Sequence, residues 1–429
     1  MRTTDRRDAG TRIYWWGYPS RVALFVTLPI YLACWSLEPS GFEFYGHNHK
    51  FLEGSVAVMG LEAILGFALC SFLLEPLNPR RGPAVRLDTA TVENATLTLA
   101  ALVLVSYSIF LFPILLRPQL IIEHLMGSST AMFTLRETLN RIPGVTSLMS
   151  LQSLLAVLIV SYRPLTGAPM PTLYKRLLVV VGCCCLLRAW LWSERLALIE
   201  YLMPIVIVTL SRFDLNRLRG RFRPLAFAPI AGAVALFAVF MVGEYFRSWQ
   251  HYQHEFAGSF TEFIAVRLSG YYATSLNNGS ALLTLLGPIG APCSTAQWFY
   301  KFPLWSIIAP GWLNEPFDPT SFLETYLNPE FNNMSGIFLP LADFGEIWGV
   351  AFWMGLGIIT GRIFNSFALG RNIGLMLYPV WFTGLTEMLR VFYWGETRFF
   401  PVLFGALFLG SYLNRHSRRR QPAALHATA

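Results

Sequence analysis

The chain alternates long apolar runs with short polar breaks. A helix needs about 20 apolar residues to cross a bilayer core. Ten runs approach that length, near 21–37, 55–75, 95–116, 145–162, 175–191, 196–211, 225–243, 336–360, 373–390 and 398–414. The pattern predicts an all-α polytopic membrane protein. It has about ten transmembrane helices in one domain over 1–429, with no internal repeat and no separate soluble domain. The basic N-terminal arm carries Arg2, Arg6, Arg7 and Arg12 and leads into the first run without a small-residue cleavage site. It reads as a retained helix, not a cleaved signal peptide.

The breaks set an orientation, because Lys and Arg collect on the cytoplasmic side. Basic residues fill the N-terminal arm, 78–86, 163–176, 212–223, 362–371 and 415–420. These six segments share one side only if every run crosses, which puts both termini in the cytoplasm. The stretch from Lys175 to Leu210 is short for two crossings. One crossing there would send the five arginines of 212–223 outside, so two spans with a tight turn near Trp192–Arg195 are expected. The one long connection, 244–335, then lies outside as a periplasmic loop. It mixes aromatic, polar and charged residues with a Pro- and Trp-rich stretch at 303–319, so short helices and turns are expected. Function gathers in loops held by a rigid scaffold.

Composition supports lipid as the solvent. Hydrophobic residues make up 54% and charged residues only 14%, against about a quarter charged in soluble domains. The net charge of +8 sits in short loops. It therefore reads as a topology signal and not as a nucleic-acid footprint. Of 6 cysteines, Cys183, Cys184 and Cys185 lie in one apolar run and Cys293 lies alone in the long loop. No metal-ligand spacing and no disulfide framework is visible. No phosphate-binding glycine loop occurs and the cytoplasmic breaks are short, so a nucleotide substrate is not expected.

Five constellations could carry chemistry. Ser193-Glu194-Arg195, with Arg188, lies at the outer end of the fifth and sixth runs. An arginine there can hold phosphate oxygens with its planar fork, or can simply pair with Glu194 or Glu200 or snorkel to the interface. Arg267-Leu-Ser-Gly-Tyr271-Tyr272, preceded by Glu262, looks like an amphipathic segment along the outer surface. Its arginine is either a ligand contact or a headgroup anchor. His251-Tyr-Gln-His254-Glu255 offers a titrating base, or merely exposed loop histidines. A metal would need a matched acidic ligand that is not seen. Asn332-Asn333-Met-Ser335 runs into Asp343-Phe344-Gly345-Glu346-Ile347-Trp348-Gly349. There, acidic groups suit a helix N-terminus, and the glycine spacing suits close helix contact. Glu387-Met-Leu-Arg390, followed by Glu396 and Arg398, reads as ion pairs at a membrane edge.

On these residues the chain resembles the Wzy-type polymerases of O-antigen and exopolysaccharide repeat units. That family has ten or more spans and a large periplasmic loop. An arginine opens a span, as in Ser193-Glu194-Arg195-Leu-Ala-Leu. Asn and Ser/Thr residues precede an Asp-Phe-Gly segment with a further glycine, as in Asn332 to Gly349. The layout covers most of the chain, and the motifs cover about 175–350. Glu194 departs from the small residue commoner before the arginine, so Arg195 would be partly neutralised.

The resemblance implies a GT-C-like fold in the bacterial inner membrane and metal-independent glycosyl transfer without a cofactor. Donor and acceptor would both be undecaprenyl-diphosphate-linked oligosaccharides, with membrane lipid around them and a chain-length regulator and a flippase as partners. Arg195, Arg267 and Arg188 would hold the diphosphate. His254, Glu255 or Asp343 would take the acceptor proton, and Trp298, Trp305, Trp312 and Tyr326 would bind sugar. A ligase would use the same parts. A transporter would instead show broken helices and midplane charges.

Overall fold

The computed structural model describes residues 13–39, 49–76, 86–125, 134, 137–139, 142, 144–192, 196–211, 227–249, 252–302, 308, 317–328 and 331–418. Every regular element among them is helical. α1 (Pro19–Val22) passes through a π segment (Ala23–Thr27) into α2 (Leu28–Ser36). Then come α3 (Gly54–Phe72), α4 (Thr89–Leu115), α5 (Pro118–Leu125), α6 (Gln152–Thr166) with a 3-10 turn (Thr146–Leu151) ahead of it, α7 (Thr172–Trp192) and α8 (Leu196–Leu210). α9 (Ala228–Glu244) runs into a second π segment (Tyr245–Trp249), followed by α10 (Phe260–Leu285), α11 (Gln297–Tyr300) and α12 (Pro319–Tyr326). The chain closes with α13 (Phe338–Phe344), α14 (Glu346–Ala368), α15 (Asn372–Glu387) and α16 (Phe399–Arg418).

Each of the ten apolar runs folds as helix. Among the described residues, four helices are long and apolar enough to cross a membrane: 54–72, 89–115, 146–166 and 346–368. The helices over 196–210 and 228–244 are apolar but shorter. Apolar side chains such as Leu69, Phe72, Val105, Phe112 and Ile358 point outward, a surface that suits lipid and not water. The 146–166 helix is the inner one: 78% of its span is buried, against 33% for 89–115.

α3 and α14 form the tightest pair. They run parallel, with Gly66 against Met354, Gly357 against the Phe67 carbonyl and Gly361 against the Ser71 carbonyl. Small residues let the backbones approach in this way. α15 returns antiparallel to α14, with Trp381 Nε1 donating to Thr360 Oγ1 at 3.0 Å. At one bundle end, Ser20 donates through its N–H and hydroxyl to Glu75, at 2.7 and 2.6 Å. Tyr378 donates there to the Gly17 carbonyl at 2.6 Å.

The other end is closed by α10, and here the fold departs from the sequence reading. The stretch expected to hold only short helices and turns contains this 26-residue helix, about 39 Å long at 1.5 Å per residue. Its N-terminus is a capping box: Ser259 Oγ accepts from the Glu262 N–H, and Glu262 accepts from the Ser259 N–H. Those bonds hold the exposed Glu262 carboxyl below its ordinary value of 4.5.

Partners along α10 fix its direction. Arg267 meets Glu244, the last residue of α9. Ser275 donates to the Arg390 carbonyl just beyond α15, at 2.8 Å, and accepts at its own carbonyl from the Ser335 N–H ahead of α13. Asn277 holds the strip ahead of α3, donating to the His49 carbonyl and accepting from the Phe51 and Leu52 N–H groups. Asn278 donates to the Phe331 and Asn333 carbonyls. The second half of α10 thus bonds to segments beside helix starts and ends on one side, while its first half runs antiparallel beside α9, with Tyr271 against Phe240 and Arg267 against Glu244. The expected segment along a bundle surface is there, but buried: Arg267, Asn277, Asn278 and Ser280 are all covered. Polar residues inside a helix reward this position because each finds a chain end to bond.

Candidate site at the capped end

The Asp-Phe-Gly stretch shapes a helical hairpin. Asp343 is fully buried. Its carboxylate accepts from the Ser294 N–H at 3.0 Å, and from the Thr295 N–H and hydroxyl at 2.7 and 2.8 Å. It therefore clamps the 294–295 turn and does not cap α14, whose first turn carries Glu346 instead. Gly345 has φ +79 and separates α13 from α14. A Cβ on Gly349 would sit 2.7 Å from the Leu341 Cα, so the close contact is between α14 and its own preceding turn. Ser335 is buried, with its hydroxyl accepting from the Ile337 N–H at 3.3 Å. Each polar or glycine residue named here has a structural task.

Arg267 lies inside the cap. Its Nε is 3.3 Å from a Glu244 carboxylate oxygen, and both side chains are enclosed. Phe263, Phe331 and Tyr252 surround the guanidinium at 5.2 to 5.6 Å. Its charge is thus directed at Glu244. His254 and Glu255 are exposed in the turn before α10. Tyr326 is half exposed on α12 against Phe322. Trp298 stacks on Phe400 at 4.8 Å, which occupies one ring face. Asp318 caps α12 by accepting from Thr320 and Ser321, which depresses its carboxyl pKa. Arg195, Glu194, Trp305, Trp312, His251 and the arginines of 212–223 lie outside the described residues.

What the structure does bring together centres on the turn from Glu387 to Arg398. On one side, Glu200 of α8 is buried; it accepts from the Tyr393 hydroxyl at 3.0 Å and lies 3.8 Å from Arg398. Arg398 also pairs with Glu396 at 2.9 Å. Arg188 lies one turn beyond Cys185 on α7, and the Tyr107 hydroxyl of α4 donates to Gln152 Oε1. Gln152 Nε2 and Cys185 Sγ both donate to the Ala197 carbonyl, at 3.2 and 3.1 Å. On the other side of the turn, Arg390 pairs with Glu387 at 2.9 Å and lies over the Tyr271 ring at 5.7 Å.

Arg390 with Glu387, and Arg398 with Glu200 and Glu396, thus flank the turn that follows α15. Arg390 and Arg398 keep 26% and 31% of their side-chain surface exposed, so an incoming anion can reach them. Exposed ion pairs of this kind are weak, and Glu396 is an exchangeable partner. Chemically the arrangement can hold a phosphate-like group with planar donors.

Of the sequence candidates, Arg188, Arg267, Asp343, His254 with Glu255, and Trp298 each sit in separate surroundings. The ion pairs expected of Glu387 with Arg390 and of Glu396 with Arg398 are present; Glu200 and Tyr393 as further partners were not read from the sequence. Only the fold shows that the α15–α16 turn meets the start of α8. No group of three or more His, Cys, Asp or Glu among the described residues could hold a metal ion. Comparisons of the chain with protein-family models, curated protein sequences and solved structures return no match.

Proposed function

We propose that the protein is a glycosyltransferase of the membrane, polymerising oligosaccharide repeat units carried on undecaprenyl diphosphate. In this reading ten spans cross the bacterial inner membrane with both termini cytoplasmic, and the end covered by α10 faces the periplasm. The observation that carries it is the pair of partly exposed arginines, Arg390 and Arg398, on the turn after α15 at one end of a bundle with an apolar outer surface. A diphosphate leaving group anchored in the membrane arrives at that depth and needs fixed cations as its charge develops. Arg195, between Arg188 and Glu200 in sequence, is a further donor. Arg267 and Asp343 hold the neighbouring structure through Glu244 and the 294–295 segment, and the exposed His254 and Glu255 are candidate bases for the acceptor hydroxyl.

The test is deletion of the gene in the source organism, with surface glycans resolved by length. Loss of long chains with single repeats retained supports polymerisation. Complete chains stranded on the lipid carrier would make the protein a ligase. Unchanged glycans would overturn the reading.

A further inference from the structure

Arg390 differs from the other arginines of the capped end in its unused capacity. Its backbone is fixed twice: the carbonyl accepts from Ser275 of α10, and the N–H donates to the Glu387 carbonyl at 2.8 Å. One terminal nitrogen donates to Glu387, and the Tyr271 ring lies under the guanidinium plane. Its Nε–H is buried with no hydrogen-bond acceptor among the described residues. A buried donor without a partner is costly until an acceptor arrives. About a quarter of the side-chain surface, 26%, is exposed. A guanidinium with a fixed backbone, a partly exposed side chain and a buried donor still unmet is preorganised for an anion.

We infer that Arg390 is the direct phosphate contact of the capped end, held in place by Ser275 and Tyr271 of α10, and that Glu387 competes with the ligand for it. The ligand class is a phosphate or diphosphate ester; that it is a lipid-linked one rests on the function proposed above. The competition gives a sign that a purely structural ion pair lacks: neutralising Glu387 should tighten anion binding.

The experiment uses full-length protein in nanodiscs and isothermal titration with inorganic pyrophosphate. A second arm titrates protein in neutral-lipid discs against a polyprenyl diphosphate presented in detergent micelles. Arg390→Gln should weaken pyrophosphate binding about tenfold to a hundredfold, the worth of one charge-assisted hydrogen bond. Arg390→Lys should recover only part of that loss, and Glu387→Gln should bind more tightly than the parent. Binding in the polyprenyl arm that exceeds the pyrophosphate arm and shares the Arg390 dependence assigns the lipid source; equal binding assigns a free phosphate. Unchanged affinity in Arg390→Gln, or no gain in Glu387→Gln with the protein folded, overturns the inference. Retained Arg390-dependent binding with normal surface glycans would instead remove the proposed function and leave the site.

Discussion

Asn277 is the residue on which the cap can be tested most sharply. Its side chain makes three bonds to the strip ahead of α3: 2.6 Å from the Phe51 N–H, 3.2 Å from the Leu52 N–H and 2.8 Å to the His49 carbonyl. Asn277→Leu keeps the volume and removes all three. Leu52 is fully buried, so its N–H loses its partner without gaining water, whereas His49 and Phe51 are partly exposed and can rehydrate. Leaving one buried donor unmet costs about 1–3 kcal/mol, and the two rehydrated groups add roughly 0.5–1 kcal/mol together. The cap should therefore loosen by about 1.5–4 kcal/mol, which is about tenfold to several hundredfold in an opening equilibrium. Cys34 of α2 reports it: the thiol is buried and lies close enough to Tyr272 of α10 to act on its hydroxyl electrostatically. Maleimide labelling of Cys34, resolved by mass spectrometry, should accelerate by that factor in Asn277→Leu. It should accelerate much less in Asn277→Asp, which keeps the acceptor for both N–H groups. Equal labelling of parent and Asn277→Leu would refute the idea that α10 is tied down through Asn277.

Three further outcomes follow from the same geometry. Asp343→Ala should expose Cys293, next to the turn that Asp343 clamps, and speed its labelling, while Asp343→Asn, which keeps an acceptor oxygen, should do so less. Gly357→Ala should lower the thermal midpoint in detergent, because its Cβ would lie 2.5 Å from the Phe67 carbonyl oxygen; Gly355→Ala, with nothing within 4 Å, should leave the midpoint unchanged. The Glu262 carboxyl titrates below its ordinary value because it is hydrogen-bonded when ionised. Its contribution is thus fully present above about 4.5 and lost as pH falls through the depressed folded value. Hydrogen-exchange protection at the start of α10, corrected for intrinsic rate, should follow that fall in the parent and be low at every pH in Glu262→Ala.

The apolar runs were legible because each is a local property: composition over about 20 residues decides helix and solvent together. α10 was not, because its residues pack against chain ends and not against lipid. Arg267, Ser275, Asn277, Asn278 and Ser280 break the apolar pattern that marks a span, and their bonds go to residues up to 228 positions away. The same reason hid the site. Glu200 and Arg398 are each unremarkable in sequence, and only the meeting of the α15–α16 turn with α8 makes them neighbours. Conversely, Asp343-Phe344-Gly345 was conspicuous in sequence because it encodes a tight clamp and turn, a demand that backbone geometry alone imposes.

The central claim is that the arginines of the capped end serve glycosyl transfer between lipid-linked glycans. Its most direct test is purified protein in nanodiscs with synthetic undecaprenyl-diphosphate-linked repeat units, products resolved by chain length. A ladder of lengthening chains formed without added metal is expected, with loss of that ladder in Arg188→Gln with Arg398→Gln while the protein stays folded. Failure of the folded parent to lengthen the units, or an unchanged ladder in the double variant, would contradict it.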